Sequence, residues 1–278
     1  MEATFRMQRL PWRERFRHQA RVLRVIAGAE FKLKYADSVL GYFWSVIKPL
    51  SYFAVLWVIF GRFFGLGNTF HDYPLYLIIG LVLWTFFSDS TTLTMHSFVS
   101  RSALLRKLAF PRLVVPAAAS LVALITFAIN ITVVAVFVAA NAIRPRWEWL
   151  LIPPLLVEFW AVTFAFGLIL AVLHVRFRDV GQVWELLAQL LFFAVPIMYP
   201  LGLLPSWART ASLLNPITQV IQDVRIAIIP SSPAGSIITA PEVFGSAGRL
   251  YPLLIAVALL ALALVLYRHE EPWLAERA

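Results

Sequence analysis

Long apolar runs, separated by short stretches rich in arginine and lysine, fix the solvent in which this chain folds. Six runs fall at about 44 to 64, 73 to 95, 113 to 140, 149 to 174, 183 to 200 and 250 to 267. Crossing a hydrocarbon layer of about 30 Å takes roughly 20 apolar residues, and each run is close to that length. With 60% hydrophobic residues, the 278-residue chain carries far more apolar surface than a soluble core of that size buries. The expected fold is an all-α membrane protein with six transmembrane helices, a single transmembrane domain over 1–278. The fifth run is broken near its end by Pro196 and Pro200, neither of which donates a backbone hydrogen bond.

Lysine and arginine are held on the cytoplasmic side during insertion, so their distribution sets the orientation. With the N-terminus inside, all but six of the 24 basic residues are cytoplasmic. The six exceptions are Arg62, Arg144, Arg146, Arg209, Arg225 and Arg249, outside or at the outer interface. A multi-pass protein of the cell (inner, cytoplasmic) membrane with both termini in the cytoplasm is expected. The net charge of +9 is a topology signal here. Its residues cluster beside apolar runs, not along a polar groove-binding helix, and no nucleic-acid partner is expected. The absence of cysteine excludes disulfides, thiolate nucleophiles and Cys-ligated zinc. The first apolar run begins only after a long Arg-rich stretch, so no cleavable signal peptide is expected.

Residues 11–35 have a different period. Trp12, Phe16, Ala20, Leu23, Ala27 and Phe31 recur every three or four positions and share one helical face, while Arg17, Arg21, Arg24 and Lys32 share the opposite one. This pattern predicts an amphipathic interfacial helix lying on the membrane. Glu30 and Lys34 interrupt its apolar stripe. Residues 201–249 are too polar and Pro-rich for a span yet carry short apolar runs. They are expected to form re-entrant or surface helices on the outer side, before the last span.

Several chemistries are missing. The sequence has no G-x-x-x-x-G-K-[ST] phosphate loop, no HExxH, no Asp-x-Asp pair and no ligand spacing among His18, His71, His96, His174 and His269. No catalytic residue, metal site or bound cofactor is therefore expected. Charged groups inside the apolar runs are few. Glu158 lies near the middle of the fourth, and Asp89 sits in the polar run Ser88 to Thr92 of the second; both are expected to be structural. Aromatic residues are abundant around the first, second and fifth runs. Singly they read as packing and interfacial belts. As a set, flat aromatic faces also suit the apolar C–H faces of sugar rings without fixing a register.

The segment Lys32-Leu-Lys-Tyr-Ala-Asp-Ser-Val-Leu-Gly-Tyr-Phe-Trp-Ser-Val-Ile-Lys-Pro-Leu50 resembles the permeases of type-2 ABC exporters that move lipid-linked polysaccharides such as O-antigen, capsule, teichoic acid or galactan chains. Leu105-Arg-Lys-Leu-Ala-Phe-Pro-Arg112, Arg176-Phe-Arg-Asp-Val180 leading to Pro196-Ile-Met-Tyr-Pro200, and Leu214-Asn-Pro-Ile217 are similar to the same family, in the family's order. Lys48 departs from the uncharged polar residue expected there and would snorkel to the inner headgroups.

The resemblance implies a permease domain that hydrolyses no ATP itself, with ATP and Mg held by a separate ABC ATPase subunit. It implies a homodimer with a lipid-linked polysaccharide passing at the interface. Residues 11–35 would be a gate helix, with Trp12, Phe16, Arg21, Arg24, Phe31, Lys32, Lys34 and Tyr35 as its functional residues. Residues 101–111 would be a coupling helix, in which Arg101, Leu105, Arg106, Lys107, Phe110 and Pro111 meet the ATPase, joined by Arg178 and Asp179. An ordinary positive-inside loop would also account for Arg106 and Lys107. Tyr42, Trp44, Tyr52, Trp57, Trp84, Phe86, Phe192, Phe193 and Tyr199 are candidate walls of the path. Two rival readings are a membrane glycosyltransferase or lipid-processing enzyme, and an ABC exporter of drugs or small lipids.

Overall fold

The computed structural model describes residues 12–35, 41, 43–69, 71–102, 111–230 and 237–274. Among these residues every regular element is helical. In chain order they are α1 (Trp12–Tyr35), α2 (Phe43–Leu56, continued by a π-helical segment Trp57–Phe63), α3 (Leu66–Thr69), α4 (Tyr73–Ser100) and α5 (Val114–Ala140). A 3₁₀ segment, Trp147–Leu151, leads into α6 (Ile152–Arg176), which is followed by α7 (Val180–Ala194), α8 (Ser206–Leu214), α9 (Pro216–Ile228), α10 (Ala240–Phe244) and α11 (Leu250–Glu270).

Five helical stretches are long and apolar enough to cross a membrane: Phe43–Phe63, α4, α5, Trp147–Arg176 and α11. Each coincides with an apolar run of the sequence. The remaining run differs. Its helix α7 has 15 residues, about 22 Å at 1.5 Å per residue, short of a hydrocarbon layer of about 30 Å. Val195 to Tyr199 continue it as irregular backbone.

Composition sets the packing order. Helix α4 is covered on nearly every side from Tyr73 to Phe98, as a helix that is apolar all round must be. Its neighbours are α5 and α6, with α2, α7 and α9 also against it, and α11 lies on α6. Phe86 meets Phe127 and Phe159 with ring centres 4.6 and 5.9 Å apart. At Gly167 an added Cβ would stand 2.8 Å from the Thr94 Cβ, so only glycine lets α6 approach α4 this closely. In lipid, helices gain little from burying apolar surface, and such close backbone packing holds them together. Two hydroxyls in this layer bond back to their own helix, Thr91 to the Phe87 carbonyl (2.8 Å) and Ser97 to the Thr94 carbonyl (2.7 Å).

Two unlike ends result. At one end, here the Arg101 end, α4, α6 and α11 finish and α5 and α7 begin. Arg112 donates to the Glu271 carbonyl, and Arg176 lies 3.9 Å from Glu270. Helix α1 packs beside this end, with Leu23, Ala27 and Phe31 against Ala118 and Val122 of α5, while Arg21, Arg24 and Lys32 are exposed. The apolar stripe of α1 is thus met by protein along these residues. Glu30, which interrupts it, is ion-paired with Arg101. The opposite, Arg225 end holds residues 195–205 and the short helices α8 to α10 between Ala194 and the start of α11.

Candidate functional site

Arg225 organises its end of the molecule. The sequence grouped it with the cations outside or at the outer interface, and its side chain is fully buried. Its Nε donates to the Tyr76 carbonyl (3.1 Å), one terminal nitrogen to Pro196 (2.7 Å) and the other to Ile197 (2.7 Å). The guanidinium carbon sits 3.4 Å from the centre of the Tyr76 ring, a cation–π contact. Burial lowers its pKa to about 10, so it stays charged at neutral pH. The hydroxyls of Tyr73 and Tyr76 complete the set by donating to the Met198 (2.8 Å) and Tyr199 (2.9 Å) carbonyls. Tyr199 in turn donates to the Phe193 carbonyl at the last turn of α7 (2.9 Å).

The purpose of this cage follows from the backbone. Pro196 stops α7, leaving consecutive carbonyls without helical partners, and each such orphan away from water is costly. Three side chains from α4 and α9 take all four carbonyls from Pro196 to Tyr199. Gly80 makes room for them, since a Cβ there would lie 2.3 Å from an Arg225 terminal nitrogen. The Pro196–Pro200 motif is therefore a fixed shelf at the end of α7. Sequence reasoning missed Arg225; its signals were an arginine set between Val224 and Ile226 in α9 and a glycine among the bulky residues of α4.

Other arginines of this end also have structural partners. Arg146 donates to the Ile226 carbonyl (3.1 Å) at the end of α9, and Arg209 to the Gly202 carbonyl (3.3 Å). Arg249 Nε lies 3.3 Å from Oδ2 of the buried Asp223, the same oxygen that accepts from the Gln219 amide at 2.6 Å. Burial raises the Asp223 carboxyl, against the pull of Gln219 and Arg249.

The candidate path residues divide by exposure. Trp44, Tyr52 and Phe193 are at least half exposed, at 53%, 54% and 62%, on faces of α2 and α7 that no described residue covers. Phe43, Val55, Val58 and Phe63 extend the α2 face, and Val183, Leu186, Leu187 and Leu190 the α7 face. Trp57, Phe192 and Tyr199 are partly buried, with Arg62 stacked 4.9 Å over Trp57 and Phe192 packed 5.9 Å from Trp84. Trp84 and Phe86 are buried. Phe86 points between Phe127 and Phe159 in the helix core. Tyr42 lies outside the described residues.

The Arg101 end gathers what is described of the coupling residues. Arg101 closes α4, Pro111 precedes α5, and Arg178 and Asp179 are exposed in the turn between α6 and α7. Leu105, Arg106, Lys107 and Phe110 lie outside the described residues, as do the side chains of Trp12, Phe16, Lys34 and Tyr35. The pairing of Arg101 with Glu30 ties α1 to the end of α4. Burial raises the Glu30 carboxyl, against the lowering effect of Arg101. Lys48 of α2 and Asp89 of α4 pair at 3.5 Å, which gives the unexpected lysine and the isolated aspartate a common explanation. Among the described residues no cluster of three or more metal-ligating side chains forms.

Comparison with known proteins bears on this arrangement. The sequence pattern of the ABC-2 type transporter family matches residues 21–229, from α1 through the Arg225 cage. An O-antigen export system permease protein, RfbA, of Klebsiella pneumoniae is 31% identical over 204 residues, covering 72% of this chain and 77% of the relative. RfbA of Myxococcus xanthus is 29% identical over 194 residues, 69% of this chain and 74% of the relative. The polysialic acid transport protein KpsM of Escherichia coli is 25% identical over 206 residues, 72% of this chain and 78% of the relative. The match takes in the helices from α1 to α9, the turn carrying Arg178 and Asp179 and the caged shelf together, and the chain accordingly belongs to the ABC-2 type transporter family of multi-pass membrane proteins.

Proposed function

We propose that this chain is the transmembrane subunit of an ATP-driven exporter that moves a lipid-linked polysaccharide from the cytoplasmic to the outer side of the cell membrane. The observation that carries the reading is the similarity to O-antigen and polysialic acid transport proteins over most of both chains. The geometry supports a division of labour. The Arg101 end faces the cytoplasm and receives a separate ABC ATPase, which binds ATP and Mg, through residues 101–111 and the Arg178–Asp179 turn. Helix α7 and the shelf that continues it make the sixth crossing, leaving both termini inside. Two copies meet across the uncovered faces of α2 and α7, with Trp44, Tyr52 and Phe193 along the passage. Helix α1 is the gate at the inner leaflet.

A passage is needed because each sugar hydroxyl buried without a partner costs about 1 to 3 kcal/mol. Flat aromatic and aliphatic walls let the chain slide without locking to one register. The test is co-reconstitution with the ATPase in vesicles loaded with lipid-linked glycan. Glycan should become accessible to an external lectin only with both subunits and ATP. Glycan transfer chemistry by the chain alone would contradict the proposal and favour the enzyme reading.

A further inference from the structure

Helices α6 and α11 enclose a groove of about 450 Å³ that plays no part in the transport reading. Its walls are apolar along Leu155, Ala161, Leu253, Val257 and Leu260, and its two charged residues are Glu158 and Arg249. Glu158 lies close enough to feel the charges of Asp223 and Arg249, yet its buried Oε1 has no hydrogen-bond partner. Arg249 is committed on one side to Asp223, at 3.3 Å, while its side chain remains 47% exposed. That side of the guanidinium is thus taken up by Asp223, and Glu158 is left to find another donor.

Depth identifies that donor. Helices α6 and α11 run parallel, and the Arg176–Glu270 pair marks their common end. Counting back at 1.5 Å per residue, Glu158 is about 27 Å from that pair along α6, and Arg249 about 31 Å along α11. A hydrocarbon layer is about 30 Å thick. With the Arg176–Glu270 pair taken as one headgroup boundary, both charges fall near the opposite one, not in mid-membrane as the position of Glu158 in its apolar run suggested. The apolar part of the groove, at Leu253, Val257 and Leu260, descends from there into the hydrocarbon.

We propose that this groove binds a phospholipid whose headgroup joins a primary ammonium to a phosphate, phosphatidylethanolamine, from the leaflet at the Arg225 end. The ammonium donates to Glu158, the phosphate accepts from the free side of Arg249, and an acyl chain lies along Leu253, Val257 and Leu260. A primary ammonium has three N–H donors. A choline headgroup has none and leaves Glu158 unpaired, so the site discriminates between the two. Charge complementarity favours lipid over a second copy of the chain, because a protein partner would have to bury the exposed flank of Arg249.

The test reads lipid retention and is independent of transport. The intact chain is reconstituted in vesicles of equal phosphatidylethanolamine and phosphatidylcholine, extracted in mild detergent, and its retained lipid is measured by native mass spectrometry. The unaltered protein should retain the ethanolamine lipid over the choline lipid about tenfold, the worth of one charge-assisted hydrogen bond. Glu158→Gln should bring the ratio close to one, and Val257→Trp, which fills the groove, should lower retention of both lipids. Equal retention by the unaltered protein, or a preference that survives Glu158→Gln, would overturn the proposal. So would disulfide formation between two copies of Val257→Cys in a chain with no native cysteine, which would give the groove to a second copy. Glu158→Gln changes one oxygen at a partly exposed position and carries the test alone if Val257→Trp fails to fold.

Discussion

The two ends of the helix bundle use arginine mostly in different ways, with Arg249 on Asp223 at the Arg225 end and Arg112 on the Glu271 carbonyl at the Arg101 end as the exceptions. At the Arg225 end, Arg146, Arg209 and Arg225 donate mainly to backbone carbonyls, so charge there holds irregular chain in one shape. At the Arg101 end, Arg101 and Arg176 pair with the glutamates of other helices, so charge there joins separate rigid bodies. The first use builds a static cap. The second builds connections that can transmit a displacement, because an ion pair between two helices moves when either helix does. In an exporter driven from one side, the end that receives the stroke needs joints and the far end needs a fixed frame.

Substitutions can break or sharpen this contrast. The largest effect is expected from Arg225→Leu, which strands the Pro196 and Ile197 carbonyls. At about 1 to 3 kcal/mol for each unsatisfied buried group, it should cost about 3 kcal/mol or more, read as a lowered unfolding temperature in detergent. Gly80→Ala pushes on the same guanidinium and should cost about 1 to 3 kcal/mol by overpacking. If either variant unfolds like the unaltered protein, the cap is not the frame described.

At the other end, Glu30→Arg and Arg101→Glu should each impair export by the reconstituted transporter more than they lower its unfolding temperature. The double swap should restore the pair, with a coupling of about 1 kcal/mol. Independent, additive losses would mean that α1 and the end of α4 are not mechanically joined. The smallest effect is expected from Lys48→Gln. Its partner Asp89 is 28% exposed and the lysine 57%, so the pair is only partly enclosed by the chain and its loss should cost about 1 kcal/mol in a thermal melt.

Much of the fold was legible because lipid imposes simple arithmetic. Five apolar runs became helices within a few residues of their expected limits, since nothing but a helix satisfies the backbone there. The run at 183 to 200 was harder. Its hydropathy continues through Pro196, but its helix stops at Ala194, and the partners that make the stop tolerable, Tyr73, Tyr76 and Arg225, lie more than a hundred residues earlier or almost thirty later. Long-range partnership also hid the roles of Lys48, Asp89 and Glu30, each of which looks misplaced until the opposing helix is beside it. The candidate path was legible as a composition and not as a surface. Aromatic content marks Phe86 and Phe193 equally, and only packing separates a core ring from one left open on α7.

The most direct test of the division between the two ends is hydrogen–deuterium exchange of the reconstituted chain with and without its ATPase subunit. Binding of the ATPase should protect residues 101–112 and the 177–181 turn while leaving 195–205 and α8 to α10 unchanged. Protection confined to residues 195–249, or none at the Arg101 end, would contradict the account.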